Sequence, residues 1–235
     1  MKQEGKKEQV RIMFNNIAGK YDFLNHFLSV GIDHYWRKRL VKMIVGQQAR
    51  QILDIATGTG DLAIAIAKAL PESNIIGADI SEKMLEIGQE KVIKKKLDKQ
   101  IKIELGDSEE LKYSEGFFDA VSVAFGVRNY EDLNLGLSEM YRVTKKGGWV
   151  YILEFSKPTA FPIKQLYNFY FKNILPLLGK MFSKDQSAYT YLPESVSKFP
   201  DGDEFLKRLT STGYQGVKQL TLSFGIVSIY SGKKI

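Results

Sequence analysis

The stretch Gln51-Ile52-Leu53-Asp54-Ile55-Ala56-Thr57-Gly58-Thr59-Gly60-Asp61 decides the fold. Gln51–Ile55 is a short β-branched run closing beside an acid. Gly58 and Gly60 interrupt it, and Leu62 to Leu70 then carries apolar residues at helical spacing. A strand that passes through a glycine turn straight into a helix is the opening unit of a doubly wound sheet. Moving outward, Asn74–Asp79 predicts a second strand, and Ser81 is placed to cap a helix running to about Lys95. Ile101–Leu105 alternates apolar and charged residues, Phe118–Ala124 is a buried-strand pattern, and Leu133–Val143 is helical. Trp149–Phe155 predicts another strand after the turn Gly147-Gly148. Strands alternating with helices over residues 50–155 give an α/β fold with a doubly wound, mostly parallel sheet. Tyr214–Leu222 and Phe224–Ser231, joined through Ser223, read as a terminal pair. So short a connection makes them antiparallel to each other, since parallel neighbours need a crossover.

The remaining composition narrows the class. A chain of 235 residues fits one domain and hides roughly 70–75% of its unfolded surface. Hydrophobic residues at 44% and charged residues at 26% are the balance of a globular protein. The absence of cysteine excludes disulfides, thiolate metal sites and a cysteine nucleophile, and two histidines (His26 and His34) are too few for a structural zinc site. No metal is expected. Ala120–Val127, the longest near-apolar stretch, is too short to span a bilayer, and the N-terminal MKQEGKKEQV lacks the apolar core of a signal peptide. The expectation is a soluble, cytoplasmic, single-domain protein. Its net charge of +7 is concentrated: residues 1–50 hold ten bases and four acids. Such a balance favours an anionic partner, whether nucleic acid, a phospholipid surface or an acidic substrate.

Alternate glycines at the strand-to-helix turn let a ligand lie against bare backbone. Gly58-x-Gly60-x-x-Ala63 also satisfies a dinucleotide fingerprint, so the glycines alone do not choose a ligand. Charge separates the readings. Asp54 and Asp61 bracket the turn, where they disfavour a pyrophosphate and favour the cationic tail of S-adenosylmethionine. Asp79, 19 residues after Gly60, is placed to accept from ribose hydroxyls, a spacing common to both cofactors. Asp107 can accept from an adenine amino group while the Ser108 backbone N–H faces the ring; its alternative is a helix cap for Glu109 onward. No Lys-Ser/Thr phosphate loop is present, which disfavours nucleoside triphosphate hydrolysis.

Four segments carry a resemblance over nearly the whole chain. They are Tyr21-Asp22-Phe23-Leu24-Asn25-His26-Phe27-Leu28-Ser29-Val30-Gly31 with Trp36-Arg37; Phe125-Gly126-Val127-Arg128-Asn129; Arg142-Val143-Thr144-Lys145-Lys146-Gly147-Gly148 running on to Leu153-Glu154-Phe155-Ser156-Lys157-Pro158; and Tyr189-x-Tyr191-Leu192-x-Glu194-Ser195. With them the sequence resembles the ubiquinone/menaquinone biosynthesis C-methyltransferase family, within the class I S-adenosylmethionine-dependent methyltransferases. It departs from the family pattern at Leu24, Asp33, Ala124 and Lys146. The resemblance implies a Rossmann-like, seven-stranded, mostly parallel sheet with an antiparallel C-terminal strand. It also implies an organisation within one domain: 1–49 as a helical cap on the substrate side, 50–155 as the donor-binding core, 156–200 as an aromatic and basic helical insertion, and 201–235 as a C-terminal helix and strand pair.

The implied reaction is methyl transfer from S-adenosylmethionine to a ring carbon of a prenylated quinol, demethylmenaquinol to menaquinol or the benzoquinol precursor of ubiquinone. The donor set is Asp54, Gly58, Thr59, Gly60, Asp79, Asp107 and Ser108. An electron-rich, preferably deprotonated ring calls for a general base or a cation beside the phenolate. Arg128 is the first candidate, with Asn129 beside it; the competing reading pairs that arginine with Glu131 or Asp132 at the surface. His34 and Asp33 come second, since histidine titrates near neutrality. Tyr21, Asp22, Asn25 and Tyr191 are expected to wall the substrate pocket. Lys164–Lys184 reads either as a buried helix broken at Pro176 or as an apolar slot for the isoprenoid tail, with lysines near lipid phosphates. The second reading puts the protein peripherally at the inner face of an anionic membrane.

Three rivals stay in play. An RNA or other small-molecule methyltransferase fits the charge, but the turn after the fourth strand reads Phe125-Gly126-Val127-Arg128-Asn129 and no RNA-binding module is evident, so nucleic acid is not the expected partner. A nicotinamide-dependent reductase lacks its Tyr-x-x-x-Lys pair, and a non-catalytic donor-binding subunit satisfies the same motifs. Neither the choice of quinol nor a homodimer is written in the sequence.

Overall fold

The computed structural model describes residues 5–174 and 187–235. Two helices come first, α1 (Lys6–Leu28) and α2 (Ile32–Val45). The core follows as β1 (Gln51–Ile55), α3 (Asp61–Ala69), β2 (Asn74–Asp79), α4 (Glu82–Lys94), β3 (Ile101–Leu105), β4 (Phe118–Ala124), α5 (Leu133–Val143) and β5 (Thr144–Phe155). Then come α6 (Ile163–Phe169), continued by a wider turn over Tyr170–Ile174, α7 (Ser187–Lys198), α8 (Asp203–Thr212), β6 (Gln215–Leu222) and β7 (Val227–Lys233). Part of the Lys164–Lys184 segment, including Pro176, lies outside the described residues.

The seven strands lie in the order β3-β2-β1-β4-β5-β7-β6. β1 to β5 pair in parallel, and β7 runs antiparallel to both β5 and β6. The expected seven-stranded, mostly parallel sheet with an antiparallel C-terminal strand is therefore present. Strand parity builds its two cores. Ile52, Ala120, Tyr151 and Ile229 face Trp36, Leu40 and Ile44 of α2 and Ile66 of α3. Their neighbours Leu53, Val121, Val150 and Tyr230 face Leu137 and Met140 of α5 and Phe205 and Leu209 of α8. Burial on both faces explains why these strands appear in the sequence as near-continuous apolar runs.

Two strand starts differ from expectation by more than one residue. β5 starts at Thr144 and not at Trp149, because the glycine pair is a kink inside the strand: Gly147 has φ +79°, and a Cβ on Gly148 would stand 2.9 Å from the Asp119 carbonyl oxygen. β7 starts at Val227 and not at Phe224, since Ser223–Gly225 forms a 3-10 turn with left-handed φ of 47° at Ser223 and 57° at Phe224. Ser81 caps α4 as expected, its hydroxyl oxygen accepting from the Met84 N–H.

In this order β1 lies between β2 and β4, so the chain's direction of winding reverses there. Ligands of open α/β sheets bind outside the carboxyl ends of the strands at such a point. α1 crosses that end. Lys6 donates to the carbonyl oxygens of Arg128 and Tyr130, Lys7 pairs with Asp107 at 2.7 Å, and Asn15 accepts from the Ser81 hydroxyl at 2.7 Å.

Candidate active site

The turn after β1 is built from left-handed residues, Ala56 at φ 52°, Gly58 at 55° and Gly60 at 80°. At Gly58 an added Cβ would find only one atom within 4 Å, the Tyr21 ring at 3.9 Å, so its bare backbone opens toward a ligand. At the end of β4, Phe125 is also left-handed, with φ 59°. Ala56 and Phe125 meet across Gly126, whose Cβ would come within 2.6 Å of the Ala56 Cβ. Two strained non-glycine residues at adjacent strand ends mark a site where geometry is held against local preference.

A pocket opens between these ends and α1, lined by Lys7, Phe14 and Tyr21 on one side and by Gly58, Asp79, Ile80, Met84, Asp107, Ser108, Ala124, Phe125 and Asn129 on the other. Asp79 is its central carboxylate. Oδ2 accepts from the Gly58 N–H at 2.9 Å and Oδ1 from the Ser81 N–H at 2.9 Å, which leaves lone pairs on both oxygens for a diol. Burial raises its pKa, opposed by those N–H donors. Asp107 accepts from the Glu109 N–H at 2.9 Å and from Lys7. The free space is about 60 Å³, well under the roughly 300 Å³ of a small-molecule site.

The acids that bracket the turn do not line this pocket. Asp54 is buried beneath it, accepting from the Thr57 hydroxyl at 2.7 Å and the Ser122 hydroxyl at 3.0 Å. Asp61 is paired with Lys91 and, at 3.5 Å, with Arg37. Thr59 donates to Asp22 at 2.5 Å, and Lys91 bonds Asp22 at 2.8 Å, so Thr59, Gly60, Asp61 and Asp22 form a braced layer behind the turn. The charged side chains of the pocket lining are Asp79, Asp107 and Glu109, with Lys7 paired to Asp107 at 2.7 Å and to Glu109 at 3.4 Å.

Burial pushes the Asp54 carboxyl up to about 7, against its two hydroxyl donors. As pH rises the unfolded carboxyl ionises first, so the stability this group contributes is complete below about pH 4 and is lost by about pH 7. Asp54→Asn removes that titration. Its stability relative to wild type is expected to improve from pH 5 to pH 8 in denaturant titrations; a pH-independent difference would refute the assignment.

A second, larger cavity of about 410 Å³ adjoins the first and shares Phe14, Tyr21 and Phe125 with it. Its walls are mostly apolar: Met13, Ile17, Leu24, Trp36, Phe155, Ile163, Leu166 and Phe171 among them. Polar groups are few, with Asn25, Asp33, Arg128, Tyr167 and Tyr191 included. Arg128 sits at the end of β4. Its guanidinium pairs with Glu154 at 2.7 Å and lies 5.4 Å from the Phe155 ring centre, so the partner is neither Glu131 nor Asp132. Glu154 is fully buried; burial raises its pKa and Arg128 opposes that rise. Asn129 accepts from the Tyr191 hydroxyl at 3.1 Å.

Asp33 and His34 part company. Asp33 lines the cavity but is saturated, accepting from Ser29 at 2.7 Å, pairing with His26 at 2.7 Å and with Arg37. Burial would raise its pKa, but Ser29, Arg37 and His26 together hold it below the ordinary carboxylate value. His34 is exposed, stacks on His26 at 4.4 Å and lines neither cavity. His26, Asp33 and His34 bring ligating atoms within 4.8 Å of one another, although the Arg37 guanidinium already supplies a cation to that carboxylate. Sequence reasoning passed over Lys7, Glu154 and Tyr167. Only Glu154 left a trace, as an acid inside the apolar run Trp149–Phe155.

The profile of the ubiE/COQ5 methyltransferase family matches residues 2–234. A Bacteroides fragilis protein named demethylmenaquinone methyltransferase is 47% identical over 232 residues, covering 98% of this chain and 95% of that one. The ubiquinone/menaquinone biosynthesis C-methyltransferase of Geotalea daltonii is 44% identical, covering 97% of each chain. Among solved structures, a Thermotoga maritima S-adenosylmethionine-dependent methyltransferase described as a possible histamine N-methyltransferase superposes with TM-score 0.66 at 18% identity, over 96% of this chain and 99% of that one. A Methanococcus maripaludis structure described as a putative methyltransferase of the same donor class gives 0.62 at 19% identity, over 100% and 96%. By sequence over residues 2–234 the chain belongs to the ubiE/COQ5 methyltransferase family, and its fold is that of solved S-adenosylmethionine-dependent methyltransferases.

Proposed function

We propose that the protein methylates a ring carbon of a prenylated quinol, converting demethylmenaquinol to menaquinol. The observation that carries this reading is the juxtaposition of a 410 Å³, mostly apolar cavity, with Arg128 and Arg37 in its lining, and a second pocket that shares Phe14, Tyr21 and Phe125 with it. Asp79 would hold the ribose of S-adenosylmethionine, Gly58 would offer bare backbone, and Ile80 and Met84 an apolar face for adenine beside Ser108 and Asp107. When bound, the donor supplies a methyl on positively charged sulfur. The protein's part is alignment and charge. Arg128 cannot act as a base, since its guanidinium stays protonated; it stabilises negative charge on a ring oxygen next to the attacking carbon. That carbon is nucleophilic only in the reduced ring, so a quinone should not react.

The names of the Bacteroides fragilis and Porphyromonas gingivalis relatives favour the naphthoquinol. The test is transfer of a radiolabelled methyl group to short-chain demethylmenaquinol or to a 6-methoxy-benzoquinol. Label in the naphthoquinol is expected; label in neither quinol would overturn the reading.

The cavity's mouth supports delivery of the substrate from a bilayer. Val30 and Leu166 line the cavity yet are 84% and 61% exposed, and Phe224, 83% exposed, follows the lining residue Ser223. Lys38, Arg39, Lys42 and Lys164 add positive charge nearby in sequence. No helix of the described residues is long and apolar enough to cross a membrane. Binding to anionic vesicles should weaken with salt. Phe224→Ser should lower it about tenfold by removing one inserted aromatic, as read by vesicle co-sedimentation. No wild-type binding at low salt would assign delivery to solution.

A further inference from the structure

Two hydrogen-bond donors in the larger cavity are buried and lack a protein partner: the Nε of Arg128 and the hydroxyl of Tyr167. The Arg128 side chain is 8% exposed. Its NH1 is committed to Glu154 and to the Phe125 carbonyl, so Nε is a donor that internal bonding leaves over. The Tyr191 hydroxyl, by contrast, is engaged with Asn129. Buried donors in folded proteins are satisfied, and an unsatisfied one costs free energy unless a ligand completes it. Two such donors on side chains that line one cavity point to a ligand that brings an acceptor to it.

A chain of aromatic contacts links the two side chains. The Tyr167 ring stacks on Phe171 at 4.3 Å, Phe171 meets Phe155 edge-on at 6.5 Å, and the Phe155 ring lies against the Arg128 guanidinium. Arg128 and Glu154 both act electrostatically on the Tyr167 hydroxyl. Burial, with the charges of Asp201 and Glu154, raises the Tyr167 pKa, so the phenol keeps its proton and can only donate to an anionic oxygen.

We propose that Tyr167 is a catalytic residue whose hydroxyl, together with the Arg128 Nε, seats the quinol oxygen adjacent to the carbon that is methylated. This rests on the quinol reading above. Held by these two donors, the oxygen fixes the ring's rotation, so the neighbouring carbon faces the shared wall of Tyr21 and Phe125. The donors also favour the ionised ring, whose carbon is the stronger nucleophile.

Tyr167→Phe deletes the hydroxyl and keeps the stack on Phe171. A bond from a neutral donor to an anionic oxygen is expected to show as a loss of kcat/KM for demethylmenaquinol of about tenfold to a hundredfold. The lower pH limit of the kcat/KM profile should move up by about one unit, since the ring ionises less readily. Donor affinity by calorimetry should be unchanged. Because the hydroxyl has no protein partner, the apo variant should melt at the wild-type temperature or about 2–4 °C higher. Wild-type kcat/KM in Tyr167→Phe, or a loss matched by a lower melting temperature, would overturn the proposal. The wild-type protein supplies a separate control, in which tryptophan fluorescence quenching by demethylmenaquinol reads binding without turnover. Binding and turnover by wild type with an unaffected Tyr167→Phe sinks only the tyrosine's role, whereas no binding by wild type sinks the quinol reading and this proposal with it.

Discussion

Arg128→Ala is expected to lower methylation of demethylmenaquinol by about a hundredfold to a thousandfold while S-adenosylmethionine affinity stays within about threefold of wild type. The first effect follows from the loss of a cation from the lining of the acceptor cavity. The second follows because Arg128 does not line the donor pocket. Stability should fall as well. Glu154 is fully buried and would lose its cation, and stripping one member from a buried pair costs about 3–5 kcal/mol. That cost has a definite pH dependence. Without Arg128 the folded Glu154 titrates still higher, while its unfolded pKa is unchanged. Ionisation in the unfolded state then comes first, and the variant's deficit grows as pH rises from 5 to 8. Radiolabel transfer, calorimetry with the donor, and denaturant titration at both pH values measure the three effects. Loss of donor binding in step with turnover would assign Arg128 a structural role.

Asp79→Ala gives the complementary result, with donor affinity reduced about a hundredfold or more and the quinol cavity intact. The carboxylate accepts the Gly58 and Ser81 N–H groups, so it ties the glycine turn of β1 to the start of α4. Removing it orphans both donors and deletes the acceptor facing the nucleoside, penalties of about 1–3 kcal/mol each. Since burial raises the Asp79 pKa, wild-type donor affinity should decline on acidification as the carboxyl takes up its proton. Asp79→Asn should flatten that decline. Calorimetric titration of the donor between pH 5 and 8 checks both statements, and an unchanged affinity in Asp79→Ala would exclude the assignment.

Local chemistry made the sheet legible. Burial on both faces writes Phe118–Ala124 as an apolar run and the sheet edge leaves Ile101–Leu105 alternating, and both, with Asn74–Asp79, have the limits the pattern implies. Gly147-Gly148 misled because a glycine pair signals a turn, and only pairing with β4 and β7 shows that the strand continues through it. Candidates were legible where a polar residue type stands at or just past a strand end, as with Asp79 and Arg128, each of which lines a cavity. The site was opaque where pairing is remote. Glu154 meets an arginine 26 residues earlier, and Lys7 meets Asp107 a hundred residues later. Neither partner has a local signature. Asp54 and Asp61 show the converse: their positions beside the turn suggested contact with the donor, but one supports the turn from beneath and the other is neutralised by Lys91. Tyr167 was concealed in a segment whose aromatic richness reads as packing.

Phe14, Tyr21 and Phe125 belong to both cavities, so on the proposed reading both guests would touch the same three side chains. Each guest would then meet side chains that the other has positioned, and their affinities would be linked. Whatever factor the nucleoside applies to retention of the ring, the ring must apply to retention of the nucleoside.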